Sequence, residues 1–284
     1  MKLDLAEAFC TACIAELQAI KPGNVHIFAD GHGMVVQDFI KSAEAVASVI
    51  AQPNLTVGER ILHSAEATQQ SVNCNTNLGI ILLCAVIIQA NITVDTIENN
   101  LKGRIQHVLN HLTVQDAKLA FQAITLANPA GLGASEHDVR APAQITLLQA
   151  MQAAQDRDLI AQQYSNGFAD IFNIGLMSYQ AALDLWQNPT WATTFVYLSF
   201  LAEFPDSHIM RKFGVPIAGQ VQHEAAQHLE AFAKLENPKT YLRSLMLWDT
   251  ELKLRSINPG TSADLTVATL LACACKPICN ANRA

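Results

Sequence analysis

Between Ile80 and Ala90 the chain reads Ile-Ile-Leu-Leu-Cys-Ala-Val-Ile-Ile-Gln-Ala, eleven residues with one polar side chain. A helix apolar on every face has no side to offer water, so it belongs in the middle of a fold. The apolar run from Leu78 to Ile88 is too short to cross a bilayer, so no membrane segment is expected. The stretch before it, Ser71-Val72-Asn73-Cys74-Asn75-Thr76-Asn77-Leu78-Gly79, is a polar turn that the helix carries inward. Buried amides and hydroxyls must find partners, and the free N–H groups of a helix start favour an anion. Ordinary capping by Asn and Thr accounts for the same residues.

The rest of the chain supports an all-helical fold. Leu3 to Ile20, Asp38 to Ile50 and Val57 to Ser71 carry apolar residues at helical spacing. So do Val94 to Leu112, Val114 to Leu126, Gln144 to Ala154, Asp158 to Tyr164 and Phe168 to Trp186. Trp191 to Phe204, Ile217 to Leu235, Thr240 to Leu254 and Leu265 to Cys275 complete the series. No strand alternation persists. The class expected is all-α, one globular domain over residues 1–284, with about a dozen helices around the central apolar one.

Net charge is −7, which argues against general nucleic-acid binding. An anionic substrate would need a local cluster of cations. The start of the chain lacks a secretory pattern, and the seven cysteines make an odd count, so a cytoplasmic protein with reduced thiols is expected. The pair His223 and His228 imitates a zinc helix, but at about 100° per residue the two rings diverge by roughly 140°. Zinc from these or from Cys10 and Cys13 is not expected. A homo-oligomer is left open.

Five polar breaks stand between the helices. They are Lys21 to His26 with Asp30, Asn73 to Gly79, Glu136 to Arg140, Asp206 to Lys212, and Asn258 to Asp264. Each supplies a carboxylate, a cation or small polar groups at a helix end, and an all-helical fold can gather such ends into one cleft. Simpler readings exist for three of them. Lys21-Pro22-Gly23-Asn24 stops a helix, Asp206 or Ser207 caps a short one, and Thr261 to Asp264 has the form of a capping box.

The blocks Lys21-Pro22-Gly23-Asn24-Val25-His26, Phe39 with Ser42-Ala43, Asn75-Thr76-Asn77-Leu78-Gly79, and Asn258-Pro259-Gly260 with Ala263-Asp264-Leu265 occur in this order. Together they resemble the signature blocks of the triphosphoribosyl-dephospho-CoA synthase family. The resemblance implies transfer of a triphosphoribosyl group from ATP to the ribose 2′-hydroxyl of 3′-dephospho-CoA, with release of adenine. Its partners are ATP and a cofactor-precursor acceptor, with Mg²⁺ on the triphosphate. This chain departs from the citrate-lyase enzymes at His26, Asn77 and Leu78, where those resemble Asp and Asn-Thr-His-Lys-Gly. The Ser135 to Arg140 and Phe204 to Gly214 blocks look more like a divergent branch from methanogens and one-carbon-metabolising bacteria.

Breaking a bond at ribose C1′ builds positive charge that a carboxylate stabilises, or the carboxylate takes the acceptor's proton. Asp30, Asp138 and Asp264 are the catalytic candidates. Asp206 and Asp264 are the candidates for Mg²⁺, which prefers carboxylates with phosphate oxygens. Lys21, Arg140, Arg211 and Lys212 are the candidate cations. Gly23, Asn24, His26, Asn75, Thr76, Asn77, Gly79, Asn258, Gly260 and Ser262 are substrate-binding candidates that the resemblance carries over. Three alternatives stand beside this reading: a one-carbon-carrier biosynthetic enzyme with another acceptor, a Mg²⁺-dependent nucleotide hydrolase, and a non-catalytic nucleotide-binding protein.

Overall fold

The structure, a computed structural model, describes residues 3–93, 100–128 and 143–275. They form fourteen α-helices, one π-helical turn and one 3₁₀ turn, with no strand among the described residues. The first half holds α1 (Leu5–Gln18), α2 (Val36–Ile50), α3 (Val57–Val72), α4 (Leu78–Ile92), α5 (Leu101–Asn110), α6 (Val114–Ala127) and α7 (Leu147–Ala154). The second holds α8 (Leu159–Asn166), a π turn (Ile171–Gly175), α9 (Leu176–Trp186), α10 (Pro189–Glu203), α11 (Ser207–Phe213) and α12 (Val215–Ala233). A 3₁₀ turn (Pro238–Tyr241), α13 (Leu242–Leu254) and α14 (Gly260–Ala274) close it.

α4 is the expected centre. Every residue from Leu78 to Ile88 is buried, and the helix packs against α14, α5, α3, α6 and α8. Each large aliphatic side chain removed from water there contributes about 1.5–3 kcal/mol before chain entropy is charged against it. Arg60 on α3 is fully buried beside it. Its guanidinium donates to the carbonyls of Ile50, Gln52 and Leu55 and to Gln89 Oε1 of α4, so a cation closes the loop between α2 and α3. Burial lowers the Arg60 pKa to about 10, and Glu59 partly offsets that.

A second, more aromatic core lies between α10, α12 and α13, with Tyr197, Phe232, Trp248 and Leu252 buried in it. Two helices cross from one core to the other. On α1, Cys13 packs in the first core, and Ile20 just beyond the helix packs in the second. On α14, Ala263 packs in the second core and Leu265 in the first, leaving Asp264 on the seam.

The start of α14 corrects the expected helix boundary. The helix begins at Gly260, not Leu265, so the break from Asn258 to Asp264 is mostly its first turns. Thr261 to Asp264 is therefore no capping box. Ser262 N–H is taken by Asp206 from another helix, a partner 56 residues away that no local pattern could announce.

Among the described residues no helix is long and apolar enough to cross a membrane.

Candidate active site

The loop after α1 is held from several sides. Lys21 is fully buried, ion-paired with Glu16 and donating to Asn24 Oδ1 at 2.8 Å. Asn24 in turn donates to Asn258 Oδ1 at 2.8 Å, which joins this loop to the entry of α14. Gly23 N–H donates to Asp249 Oδ1 at 2.8 Å, and Tyr197 O–H donates to the Pro22 carbonyl at 2.7 Å. Gly23 has φ +84°, and a Cβ there would stand 2.8 Å from Pro259 Cδ, so both conformation and space demand glycine.

Asp249 on α13 anchors the same loop. Its carboxylate also meets Lys253 Nζ at 3.0 Å, and His26 Nε2 stands 3.4 Å away without hydrogen-bond geometry. Burial works to raise the Asp249 carboxyl, but its contacts with His26, Lys253 and Gly23 N–H win and hold it below the usual range. Burial lowers the His26 pKa and the Lys21 pKa, with Glu16 opposing the second. Lys21 and Asn24 are thus interior groups tied to each other, to Glu16 and to Asn258, and His26 is enclosed beside Asp249 with Nδ1 accepting Phe28 N–H.

The turn before α4 uses its polar side chains inwardly as well. Thr76 O–H donates to Ser42 Oγ at 2.8 Å, and Asn77 Oδ1 accepts from Thr68 O–H at 2.9 Å. Asn75, not the N-cap Asn77, caps the helix by accepting Leu78 N–H at 3.1 Å. Asn77 Nδ2 is buried without a hydrogen-bond partner. It lines a cavity with Thr68, Gln69, Cys74 and Asn75 that has room for about one water.

Gly79 faces the other way. A Cβ on it would fall 2.1 Å from Asp264 Oδ2, so the carboxylate of α14 lies directly on the α-carbon of α4's second residue. Asp264 keeps some solvent access on the seam between the two cores, with its carboxylate pressed onto Gly79 and Ile160 beside it. No described residue donates a hydrogen bond to it. Burial pushes its carboxyl well above the usual range, the negative charges of Asp206 and Glu16 push the same way, and Arg211 opposes.

Asp206 is different. One oxygen accepts His208 N–H at 2.9 Å and Ile209 N–H at 3.2 Å, capping α11. The other accepts Ser262 N–H and O–H, both at 2.8 Å. It is a joint between α11 and α14, and serving a metal would cost those bonds. Burial raises its carboxyl. Beside it Ser207 Oγ meets Thr261 Oγ1 at 2.9 Å.

Arg211 and Lys212 follow Asp206 on α11, and the Arg211 charge reaches Asp264. Arg211 Nη1 pairs with Asp158 Oδ2 at 2.7 Å, and Lys212 is exposed. Gly260 is partly exposed and borders His208. Asp30 is exposed, with its carboxylate accepting Val36 N–H at 2.9 Å ahead of α2. Asp138 and Arg140 lie outside the described residues. Four of the five polar breaks therefore meet around the start of α14.

Sequence reasoning missed Glu16, Asp158, His208 and Asp249. Glu16 and Asp249 sit inside regular helical patterns, and only their burial marks them. Among the described residues no three His, Cys, Asp or Glu side chains form a group that could hold a metal ion by themselves. His223 is exposed and touches Gln227, and His228 stacks on Trp248 with ring centroids 4.4 Å apart. The six described cysteines are free thiols.

Over residues 2–282 the sequence matches the CitG family, described as ATP:dephospho-CoA triphosphoribosyl transferase. No curated protein matches it. A crystal structure from Archaeoglobus fulgidus, described as a candidate triphosphoribosyl-dephospho-CoA synthase, is similar in fold. Its TM-score is 0.62 at 20% identity, covering 84% of this chain and 98% of that one.

Proposed function

Because the chain belongs to the ATP:dephospho-CoA triphosphoribosyl transferase family, we propose that its reaction centre lies at Asp264, on the partly exposed seam at the start of α14. The reaction moves the triphosphoribosyl group of ATP to a ribose hydroxyl of dephospho-CoA and releases adenine. One observation carries the placement: Asp264 is a densely surrounded carboxylate with solvent access and no hydrogen-bond donor among the described residues. A partly buried carboxylate beside other negative charges is costly to keep ionised, and in a native fold it calls for a functional account. A carboxyl raised by burial and like charges holds a proton more strongly once it takes one, which suits a base.

In this reading Asp264 takes the proton of the acceptor hydroxyl while that oxygen bonds to C1′. The C1′–N bond breaks, its electron pair leaves with adenine, and adenine takes up a proton from water. Asp206 holds α14 in the position that leaves Asp264 on the exposed seam. Gly79 leaves the space in which the carboxylate sits.

Mg²⁺ fits this site as a substrate-bound ion. Without a three-ligand cage among the described residues, the ion would be held by Asp264 together with phosphate oxygens and water, the usual manner for Mg²⁺. Bound there it would neutralise charge on the triphosphate. Asp206 contributes to the ion only through its field.

The full-length family match favours the transferase over a nucleotide hydrolase, a binding protein without turnover, or a one-carbon-carrier enzyme. Mass spectrometry after incubation with ATP, Mg²⁺ and dephospho-CoA tests this. Adenine should appear in equal amount with triphosphoribosyl-dephospho-CoA. Adenine with free ribose triphosphate and no acceptor requirement would point to hydrolysis instead.

A further inference from the structure

Basic side chains from two separate segments gather near the start of α14, in a chain whose net charge is −7. His208, Arg211 and Lys212 are three and four residues apart on α11, which gives them a common face. His32 comes to that face from the loop after α1, its Nε2–H donating to the Gly23 carbonyl at 2.7 Å. Burial disfavours protonation of both the His32 and His208 rings, and Lys212 lies near enough that its charge adds to this. His208 also touches the mouth of α14, with Nδ1 3.2 Å from the point a Cβ on Gly260 would occupy.

Among the described residues the acids nearby leave Lys212 without an ion pair and Arg211 half engaged. Burial holds the His32 and His208 pKa below the usual imidazole range, so the group's cations at neutral pH are Arg211 and Lys212. Asp206 is turned inward onto Ser262 and the start of α11. Asp249 is held by Gly23 N–H and Lys253. Asp158 engages one nitrogen of Arg211 only, and among the described residues neither Lys212 nor His208 makes an ion pair. Gly260 and Asp264 are four residues apart on one helix, about 6 Å along its axis. A ribose at Asp264 would therefore bring a 5′-polyphosphate within reach of these side chains.

We infer that His32, His208, Arg211 and Lys212 form the limb of the site that binds the polyphosphate chain of a substrate. This rests on the assignment of Asp264 to the reaction centre. Two substrates carry such a chain, ATP as a triphosphate and dephospho-CoA as a diphosphate. The shared chemistry is a run of phosphate oxygens met by the cations Arg211 and Lys212, with His32 and His208 as donors once the phosphates draw protons to them.

The test is calorimetric binding of inorganic tripolyphosphate to the full chain. Lys212→Glu, at an exposed position, should weaken binding at least ten-fold without disturbing the melting curve, and His208→Gln and His32→Gln should weaken it several-fold. Competition identifies the source: displacement by ATP alone marks the triphosphate limb, and displacement by dephospho-CoA alone marks the diphosphate limb. Either result supports the inference. Wild-type affinity in all three variants would overturn it, as would tripolyphosphate that neither substrate displaces. Asp264→Asn separates the two claims. If it turns over normally while Lys212→Glu loses tripolyphosphate, the reaction-centre assignment fails and the anion limb stands. If it is inactive while every limb variant binds normally, the limb fails and the reaction centre stands.

Discussion

Lys21 and Asp264 are charged residues that the fold draws inward within range of each other's fields, and it treats them oppositely. Lys21 is wholly enclosed, with a carboxylate and an amide on its ammonium. Asp264 keeps access to solvent and accepts nothing, and its nearest strong influences include two other negative charges. A buried ion with its partners in place is part of the frame. One held among like charges stores free energy that only a cation, a proton or a substrate can release. The contrast separates residues that shape the site from the residue we propose acts in it.

The sharpest way to break that contrast is Asp264→Asn. Turnover should fall by 10²–10⁴-fold, the range for loss of a positioned acid or base. Stability should hold or rise by about 0.5–2 kcal/mol, because the substitution removes a strained charge. The pH sign follows. With its carboxyl raised in the fold, the native protein binds more protons than the unfolded chain above pH ~4. Wild-type stability therefore declines as pH rises from there towards the elevated value, and the Asn variant should lack that decline in melts taken across the range. Normal turnover in a folded Asp264→Asn would erase the distinction.

Lys21→Met probes the other side. It strands Glu16 without its partner and should cost about 3–5 kcal/mol in urea unfolding. The double variant Lys21→Met with Glu16→Gln should recover part of that, since no lone charge remains buried. If the single variant is as stable as wild type, the frame reading of Lys21 is wrong.

Gly79→Ala tests the contact between α4 and α14. The methyl group overlaps Asp264 Oδ2, so we expect about 1–3 kcal/mol of destabilisation with loss of turnover greater than the loss of fold. Asp30→Ala should show the smallest effect. It removes a hydrogen bond ahead of α2, about 1 kcal/mol by thermal melting, with turnover near wild type.

The helices were readable because apolar periodicity is local. The Ile80–Ala90 run announced its own burial, and the ends of α2, α3 and α6 fall within a few residues of their patterns. The breaks were expected to gather because each holds polar groups. Asn24, Gly79 and Asp206 do touch the start of α14, while Asp30 and the stretch from Asn75 to Asn77 turn elsewhere. Which polar side chains face inward was not readable. Gly23 with Asp249, Asn24 with Asn258 and Asp206 with Ser262 are pairings that tertiary geometry alone creates. Asp206 and Asp264 look alike in the sequence, each beside small polar residues. The fold gives one four hydrogen bonds and the other none.

The bond from Asn24 to Asn258 spans 234 positions, whereas Glu16 and Lys21 are five apart. At translation rates of about 5–20 residues per second, roughly ten seconds to a minute separate the emergence of the two asparagines. The loop after α1 leaves the ribosome early and waits through most of synthesis for the residues that lock it. Until Tyr197, Asp249, Lys253 and Asn258 arrive, the loop has its local bonds, such as Asn24 N–H to the Lys21 carbonyl and Ile27 N–H to the Leu17 carbonyl, but lacks the ties that fix it to the second half of the chain. A nascent chain released before that point would expose this segment to proteases even if α4 had already found its neighbours.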